Sequence, residues 1–178
     1  QTEGALPLPR KHQYVPLALL GLTGIVLYNY FFFKGLQSIE AGRASVIVAQ
    51  NPIFIALLSA YFFKESLTPT RLFAVFCSVV GAMIVITKGQ VMAVFQSGFG
   101  VGELYLFGCI ASWVTYSLLG KAVMTDLSPV LSVTYSVFIG TVIVFLLALA
   151  HGALSHCLSY SLAQWLSLFY RGLFGTVL

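Results

Sequence analysis

Long apolar stretches alternate with short polar connectors along this chain. They cover residues 14–33, 44–63, 71–87, 103–121 and 129–150, and a sixth stretch begins near Gln164 and runs to Leu178. A helix rises about 1.5 Å per residue, so about twenty apolar residues cross the hydrocarbon core of a bilayer. The pattern predicts an all-α polytopic membrane protein with about six transmembrane helices, of which the last is truncated.

The second stretch, Ala44–Phe63, carries Gln50, Asn51 and Pro52 near its middle, where a membrane helix normally excludes such residues. Pro52 has no N–H to donate to the carbonyl group of Val48, so the helical hydrogen bonding is interrupted there. Hydrocarbon cannot satisfy the freed carbonyl group, which must therefore face protein or a water-filled cavity. A helix interrupted near the bilayer midplane indicates a solute-binding site of a transporter.

The composition supports membrane insertion and excludes several classes of partner. Hydrophobic residues form 59% of the chain and charged residues only 8%, whereas soluble domains carry about 25% charged residues. The net charge of +4 is spread among the loops and forms no basic patch, so we expect no nucleic-acid partner. Cys77, Cys109 and Cys157 are far apart in apolar surroundings, so we expect no disulfide framework, no metal site and no cofactor.

The basic residues at the ends of the stretches predict an orientation. Lys34, Arg43 and Lys88 fall on one side of the membrane, and a larger set falls on the other side: Arg10, Lys11, Lys64, Arg71 and Lys121. Cytoplasmic loops carry the excess of Lys and Arg. We therefore predict that the N-terminal end and the loop after the second stretch are cytoplasmic.

Two segments of the chain form a repeat. Tyr14–Leu27 and Trp165–Leu178 lie 151 residues apart and share six of fourteen residues, including the positions of Gly21 and Gly24. The copies are the first and sixth spans, which are five spans apart. Because five is odd, the two copies cross the membrane in opposite directions. This predicts an inverted repeat, a common construction of secondary transporters. The spacing, and a first residue that is not Met, lead us to expect that this chain is the central part of a ten-helix protein.

Three motifs follow one another in residues 51–89: Asn51-Pro52, a Lys-Glu-Ser-Leu-Thr turn at 64–68, and a Lys-Gly end at 88–89. With these motifs, the segment resembles the EamA domain of the drug/metabolite transporter superfamily. Residues 102–123 resemble the opening helix of the second EamA repeat, with Trp113 in the usual place. The resemblance implies two inverted five-helix repeats. Residues 1–89 then form the C-terminal part of the first repeat with three helices, 90–101 the linker, and 102–178 the N-terminal part of the second.

The resemblance also implies a function, against which two alternatives stay open. The implied function is secondary transport of small organic metabolites such as amino acids or drugs, as an exporter of the bacterial inner membrane. Coupling to protons or to solute exchange, and the number of subunits, stay undecided. The alternatives are an intramembrane enzyme such as a protease, and a non-transporting fragment that assembles with other subunits. His12, His151 and His156 lie at span ends or in loops, which disfavours the enzyme, so we expect no catalytic residue.

Polar and aromatic residues in the stretches are the candidates for lining a solute cavity. The amides of Gln50 and Asn51 either bind solute or hydrogen-bond to neighbouring helices. Trp113 and Tyr116 either form a cavity wall or pack in the core. The full set of predicted substrate-binding residues is Tyr28, Asn29, Gln50, Asn51, Pro52, Trp113, Tyr116 and Tyr135.

Charged residues that border the stretches have more structural interpretations. We expect Glu65 to pair with Lys64, Arg71 or a neighbouring helix end. Glu103 occupies the favourable N-terminal position of a helix. Arg171, about two turns into the last stretch, either extends towards the interface or attracts an anionic group.

Overall fold

The computed structural model describes residues 9–10, 13–66, 68–86, 100–124, 127–152 and 160–177. Its helices are α1 (Tyr14–Leu36), α2 (Ala41–Val48), α3 (Asn51–Phe63), α4 (Pro69–Ile86), α5 (Val101–Val123), α6 (Pro129–Ala150) and α7 (Leu162–Val177). No strand occurs within these ranges, so the predicted all-α class is confirmed. The predicted linker 90–101 lies outside the described residues except for its last two positions. So do Lys11, His12, Lys88, His156, Cys157 and the side chain of Arg171.

Four helical segments of the described chain are long and apolar enough to cross a bilayer: α1, the consecutive α2 and α3, α5, and α6. The shorter α4 and α7 cover the third and sixth predicted spans. The second span begins at Ala41 rather than at Ala44. It extends past Arg43 because the charge of that residue is paired with Glu103.

A π-helical segment, Leu22–Leu27, interrupts α1. Two polar side chains near it bond to backbone carbonyl groups. Thr23 Oγ1 donates to the carbonyl oxygen of Leu19 at 2.8 Å, and Asn29 Nδ2 donates to that of Ile25 at 2.7 Å. Widened helical turns leave carbonyl groups poorly satisfied, and hydrocarbon cannot supply donors. These side chains therefore supply hydrogen bonds that a regular α-helix would make with its own backbone.

Helix α5 is the centre of the fold, because α1, α2 and α3 all pack against it. Its inward face is built from buried side chains: Glu103, Leu106, Cys109, Ile110, Ser112 and Val114. Helix α1 runs antiparallel to α5. A Cβ atom on Gly35 would lie 2.7 Å from the side chain of Leu106, and one on Gly24 would lie 2.4 Å from the ring of Tyr116.

Helices α1 and α6 cross at two glycines. A Cβ atom on Gly21 would lie 2.7 Å from the carbonyl oxygen of Ser136 and 2.9 Å from the backbone nitrogen of Gly140. Ser132, Ser136 and Gly140 recur at helix-contact spacing and form one buried ladder on α6. Small residues let membrane helices approach closely, which explains this contact. Ala74, Ser78 and Gly81 recur at similar spacing on α4 but are exposed on the described part of the chain.

The chain divides into two compact units, residues up to 141 and residues from 142 onward. In the second unit, a capping box begins α7. The N–H of Ser161 donates to Gln164 Oε1 at 2.7 Å, and the N–H of Gln164 donates to Ser161 Oγ at 3.4 Å. This reciprocal pair satisfies two backbone donors at the helix start. All the candidate site residues lie in the first unit.

Candidate functional site

The predicted break in the second span is present between α2 and α3. Helix α2 ends at Val48, residues 49–50 form a turn, and α3 begins at Asn51. Pro52 lies in the first turn of α3, where a missing N–H removes no hydrogen bond within the helix. The proline side chain is exposed on the described part of the chain. Pro52 thus shapes the break, and we call residues Ala41–Phe63 the broken span.

Asn51 is the most enclosed polar group at the break. It is 8% exposed, and its Oδ1 atom is buried without a hydrogen-bond partner among the described residues. An unsatisfied buried acceptor costs about 1–3 kcal/mol. The preceding residue, Gln50, is partly buried, and its side chain makes no capping hydrogen bond to α3. The break therefore presents a carbonyl acceptor in the interior of the protein, where it is available to a donor group.

Three of the predicted aromatic residues form one cluster between α1 and α5. The ring centroids of Tyr28 and Trp113 are 5.1 Å apart, and those of Trp113 and Tyr116 are 5.3 Å apart. The ring of Tyr116 packs on the backbone of Gly24. The aromatic cluster of Tyr28, Trp113 and Tyr116 is thus held by packing on both helices.

The other two predicted residues lie apart from these contacts. Asn29 uses its amide nitrogen for the carbonyl group of Ile25, so it supports the π-helical segment. Tyr135 is partly buried on α6, next in sequence to Ser136. The three ring contacts that join Tyr28, Trp113, Tyr116 and Phe32 do not include it.

A charged cluster joins the end of the broken span to the end of α5. Lys121 Nζ donates to Glu65 Oε1 and, at 2.9 Å, to Ser59 Oγ. Glu65 Oε2 accepts from Arg71 Nη1 at 3.3 Å and from Ser59 Oγ at 3.2 Å. The hydrogen bond from Lys121 is the chief cause that lowers the pKa of Glu65 below its ordinary value of 4.5.

The sequence predicted only part of this cluster. Arg71 and a neighbouring helix end were expected partners of Glu65. Lys121 lies in the last turn of α5, but it was not named as the partner, and its bond to Glu65 spans 56 residues. Lys64 makes no such pair. It adopts a left-handed conformation with φ of 53°, which ends α3 and turns the chain. One feature of the sequence could have indicated the bond between Lys121 and Glu65: Lys121 and Lys64 were predicted to lie on the same side of the membrane.

A cavity of about 330 Å³ opens beside this cluster. We call it the Lys121 cavity, and its walls are Leu20, Tyr116, Ser117, Gly120, Lys121, Met124, Ser132 and Val133. Ser132 is 1% exposed, and its hydroxyl group has no hydrogen-bond partner among the described residues. The set of predicted substrate-binding residues did not include Ser132. Its unpaired hydroxyl group depends on three-dimensional neighbours that spacing does not reveal.

The pattern of the EamA-like transporter family matches residues 3–87 and 100–178. The chain belongs to the EamA-like transporter family. It is accordingly an integral membrane protein with a helical fold, as the resemblance implied. Within the part of the chain that the structure describes, no group of three His, Cys, Asp or Glu side chains could hold a metal ion.

Curated relatives of this EamA-like chain carry transporter names. The chain is 28% identical over 148 residues to the uncharacterized transporter YyaM of Bacillus subtilis, covering 83% of this chain and 48% of that protein. It is 28% identical over 173 residues to YdfC of the same species, covering 96% and 54%. It is 26% identical over 146 residues to a probable terminal-alkyne amino-acid exporter of Streptantibioticus cattleyicolor, covering 81% and 48%.

The chain therefore spans about half the length of the curated relatives that it matches. No solved structure matches it.

Proposed function

We propose that this chain forms the central part of a secondary transporter for small organic metabolites in the bacterial inner membrane. The observation that carries the proposal is the broken span, whose two halves pack on α5 and whose buried Asn51 Oδ1 has no hydrogen-bond partner within the described ranges. Interrupted helices near the midplane supply solute contacts in secondary transporters. The division into residues 1–89 and 102–178 as parts of two inverted repeats belongs to this proposal.

The arrangement of the broken span suits alternating access. Helix α2 is tied to the start of α5 by Arg43 and Glu103, and α3 is tied to the end of α5 by Glu65 and Lys121. Each half-helix thus has its own attachment at its outer end, and the turn at 49–50 separates them. We infer that either half-helix of the broken span can tilt while the other stays attached to α5. Such a motion opens the solute site to one side of the membrane at a time.

The substrate class follows from the site and from the names of relatives. An amide acceptor at Asn51 and an aromatic cluster on α1 and α5 suit polar metabolites with an apolar part, of which amino acids are one class. A relative is named a probable amino-acid exporter, and we propose export for this protein as well. Transport is driven by the solute gradient, by protons or by exchange.

The test uses the full-length protein reconstituted in liposomes. Counterflow of labelled amino acids and other metabolites is measured with and without a pH gradient, for wild type, Asn51→Ala and the control Gln37→Ala. Gln37 is exposed at the end of α1, so its variant should transport like the wild type. We expect saturable flux that Asn51→Ala reduces about tenfold or more, because a buried hydrogen bond to the solute is lost.

If Asn51→Ala leaves the flux unchanged, the break is not part of the solute-binding site, but the transport function stands. The absence of saturable flux for every member of the panel, from a folded protein, would overturn the proposed function.

A further inference from the structure

We propose that the Lys121 cavity binds the carboxylate group of the transported solute, with Lys121 and Ser132 as its direct contacts. This inference rests on the proposed transport function and narrows the substrate to small amphipathic acids. It follows from the charge, the hydrogen bonding and the size of the cavity.

The charge at the cavity is positive. Lys121 and Arg71 share one carboxylate, that of Glu65, so these three groups carry a formal charge of +1. Lys64 adds a further positive charge next to Glu65 in the sequence. An ammonium group has three donors, so Lys121 can bind a ligand carboxylate while it keeps its bonds to Ser59 and Glu65. A single anionic group bound here neutralises the excess charge of Lys121, Arg71 and Glu65.

Ser132 supplies a second and independent contact. Other serines near the cavity donate to their own helix backbone. Ser117 Oγ donates to the carbonyl oxygen of Trp113 at 2.9 Å, and Ser136 Oγ donates to that of Val133 at 2.9 Å. The hydroxyl group of Ser132 makes no such bond although it is buried in the cavity wall. A hydroxyl group and an ammonium group in the wall of one cavity can each donate to an oxygen of the same carboxylate.

The remaining walls are apolar and define the rest of the ligand. The apolar lining residues are Leu20, Met124, Val133 and Tyr116. A volume of about 330 Å³ lies near the lower end of the range for ligand pockets, about 300–1,000 Å³. Tyr116 also belongs to the aromatic cluster, so the apolar part of the solute extends towards Trp113.

The test compares three probes that share one apolar skeleton: phenylacetate, phenylacetamide and phenethylamine. Equilibrium dialysis of the radiolabelled probes is performed on the purified full-length protein, for wild type, Ser132→Ala and Lys121→Gln. Two matched controls lie elsewhere. Lys34→Gln removes a cation in the last turn of α1, at the opposite end of the helices, and Ser45→Ala removes an exposed serine of α2.

We expect phenylacetate to bind at least about tenfold more tightly than its amide or amine. Both cavity variants should lose this preference, and both controls should keep it. Because Lys121→Gln also removes a partner of Glu65, Lys121→Arg serves as a second variant. It retains the charge and should retain the preference for the acid.

Equal affinities for acid, amide and amine would overturn the carboxylate site, as would an acid preference that survives in Ser132→Ala. The counterflow assay on the same preparations separates this result from failure of the proposed function. Saturable flux of a neutral or cationic solute would support the transport function and contradict the carboxylate site. Acid-selective binding without flux would support the carboxylate site and contradict the transport function.

Discussion

Arg43 Nη2 lies 2.8 Å from Glu103 Oε1, and this ion pair joins the first turn of α2 to the first turn of α5. The glutamate is only 4% exposed, and its Oε2 atom also accepts the N–H of Gly100 at 2.7 Å. Glu103 thus caps α5 and neutralises Arg43 with the same carboxylate. The first half of the broken span is held by a side chain that also begins the central helix.

Glu103→Gln should destabilise the protein by about 1–3 kcal/mol, because it removes the buried counter-charge of Arg43 and weakens the cap. The measurement is thermal unfolding of the purified protein in detergent. Glu40→Gln is the control, since Glu40 is an exposed acid directly before α2. An equal loss of stability in the two variants would contradict the role assigned to Glu103.

Gly21→Ala should destabilise the crossing of α1 and α6 by about 1–3 kcal/mol, since overpacking forces backbones apart. The added methyl group would meet backbone atoms of Ser136 and Gly140, which cannot rotate away. Gly42→Ala is the control, because nothing lies within 4 Å of a Cβ atom there. Unfolding midpoints of both variants in detergent test this. A Gly21→Ala variant as stable as Gly42→Ala would show that this crossing is looser than described.

The pH dependence of stability should report the Glu65 cluster. The pKa of Glu65 is lowered in the folded protein, so its contribution is present above the ordinary value and is lost as the pH falls through the folded value. Wild type should therefore exceed Glu65→Gln in unfolding temperature at neutral pH and approach it below about pH 4. A difference that stays constant from neutral to acidic pH would argue against titration of Glu65. Glu40→Gln again serves as the control.

Gly24→Ala should displace the ring of Tyr116 and loosen the aromatic cluster, because the added methyl group would lie 2.4 Å from that ring. The chain has two tryptophans, so the background variant Trp165→Phe leaves Trp113 as the reporter. Its fluorescence should shift to longer wavelength in Gly24→Ala but stay unchanged in Gly42→Ala. Counterflow should fall in the first variant only. An unshifted spectrum would show that the cluster accommodates the methyl group.

The features that the sequence predicted follow from local physics. The spans follow from apolar length, because the bilayer thickness and the helical rise are fixed. The break follows from Pro52, whose missing N–H acts within one turn. Tyr28, Trp113 and Tyr116 were predicted to line a solute cavity, and that stays a prediction; their mutual contacts depend on how α1 packs on α5.

What the sequence did not predict depends on distant neighbours or on helical winding. The bond between Lys121 and Glu65 joins two helix ends far apart in the chain, and no local pattern specifies it. The unpaired hydroxyl group of Ser132 is visible only when every neighbouring acceptor is placed. The hydrogen bond from the Asn29 amide nitrogen to the π-helical turn had no recognised sequence signal, and the place of Asn29 in a cavity wall stays a prediction.

Because of the π-helical segment, the effect of deleting one residue from α1 depends on where the deletion lies. A wide turn accommodates one residue more than a regular α-helix would place there. Deletion of the exposed Leu22 should therefore tighten the segment into an α-helix and keep the flanking halves in register. Deletion of one residue after Tyr28 would rotate every later side chain of α1 by about 100°, and would turn Gly35 away from Leu106. The segment Leu22–Leu27 thus tolerates the loss of one residue, whereas the part of α1 after Tyr28 does not.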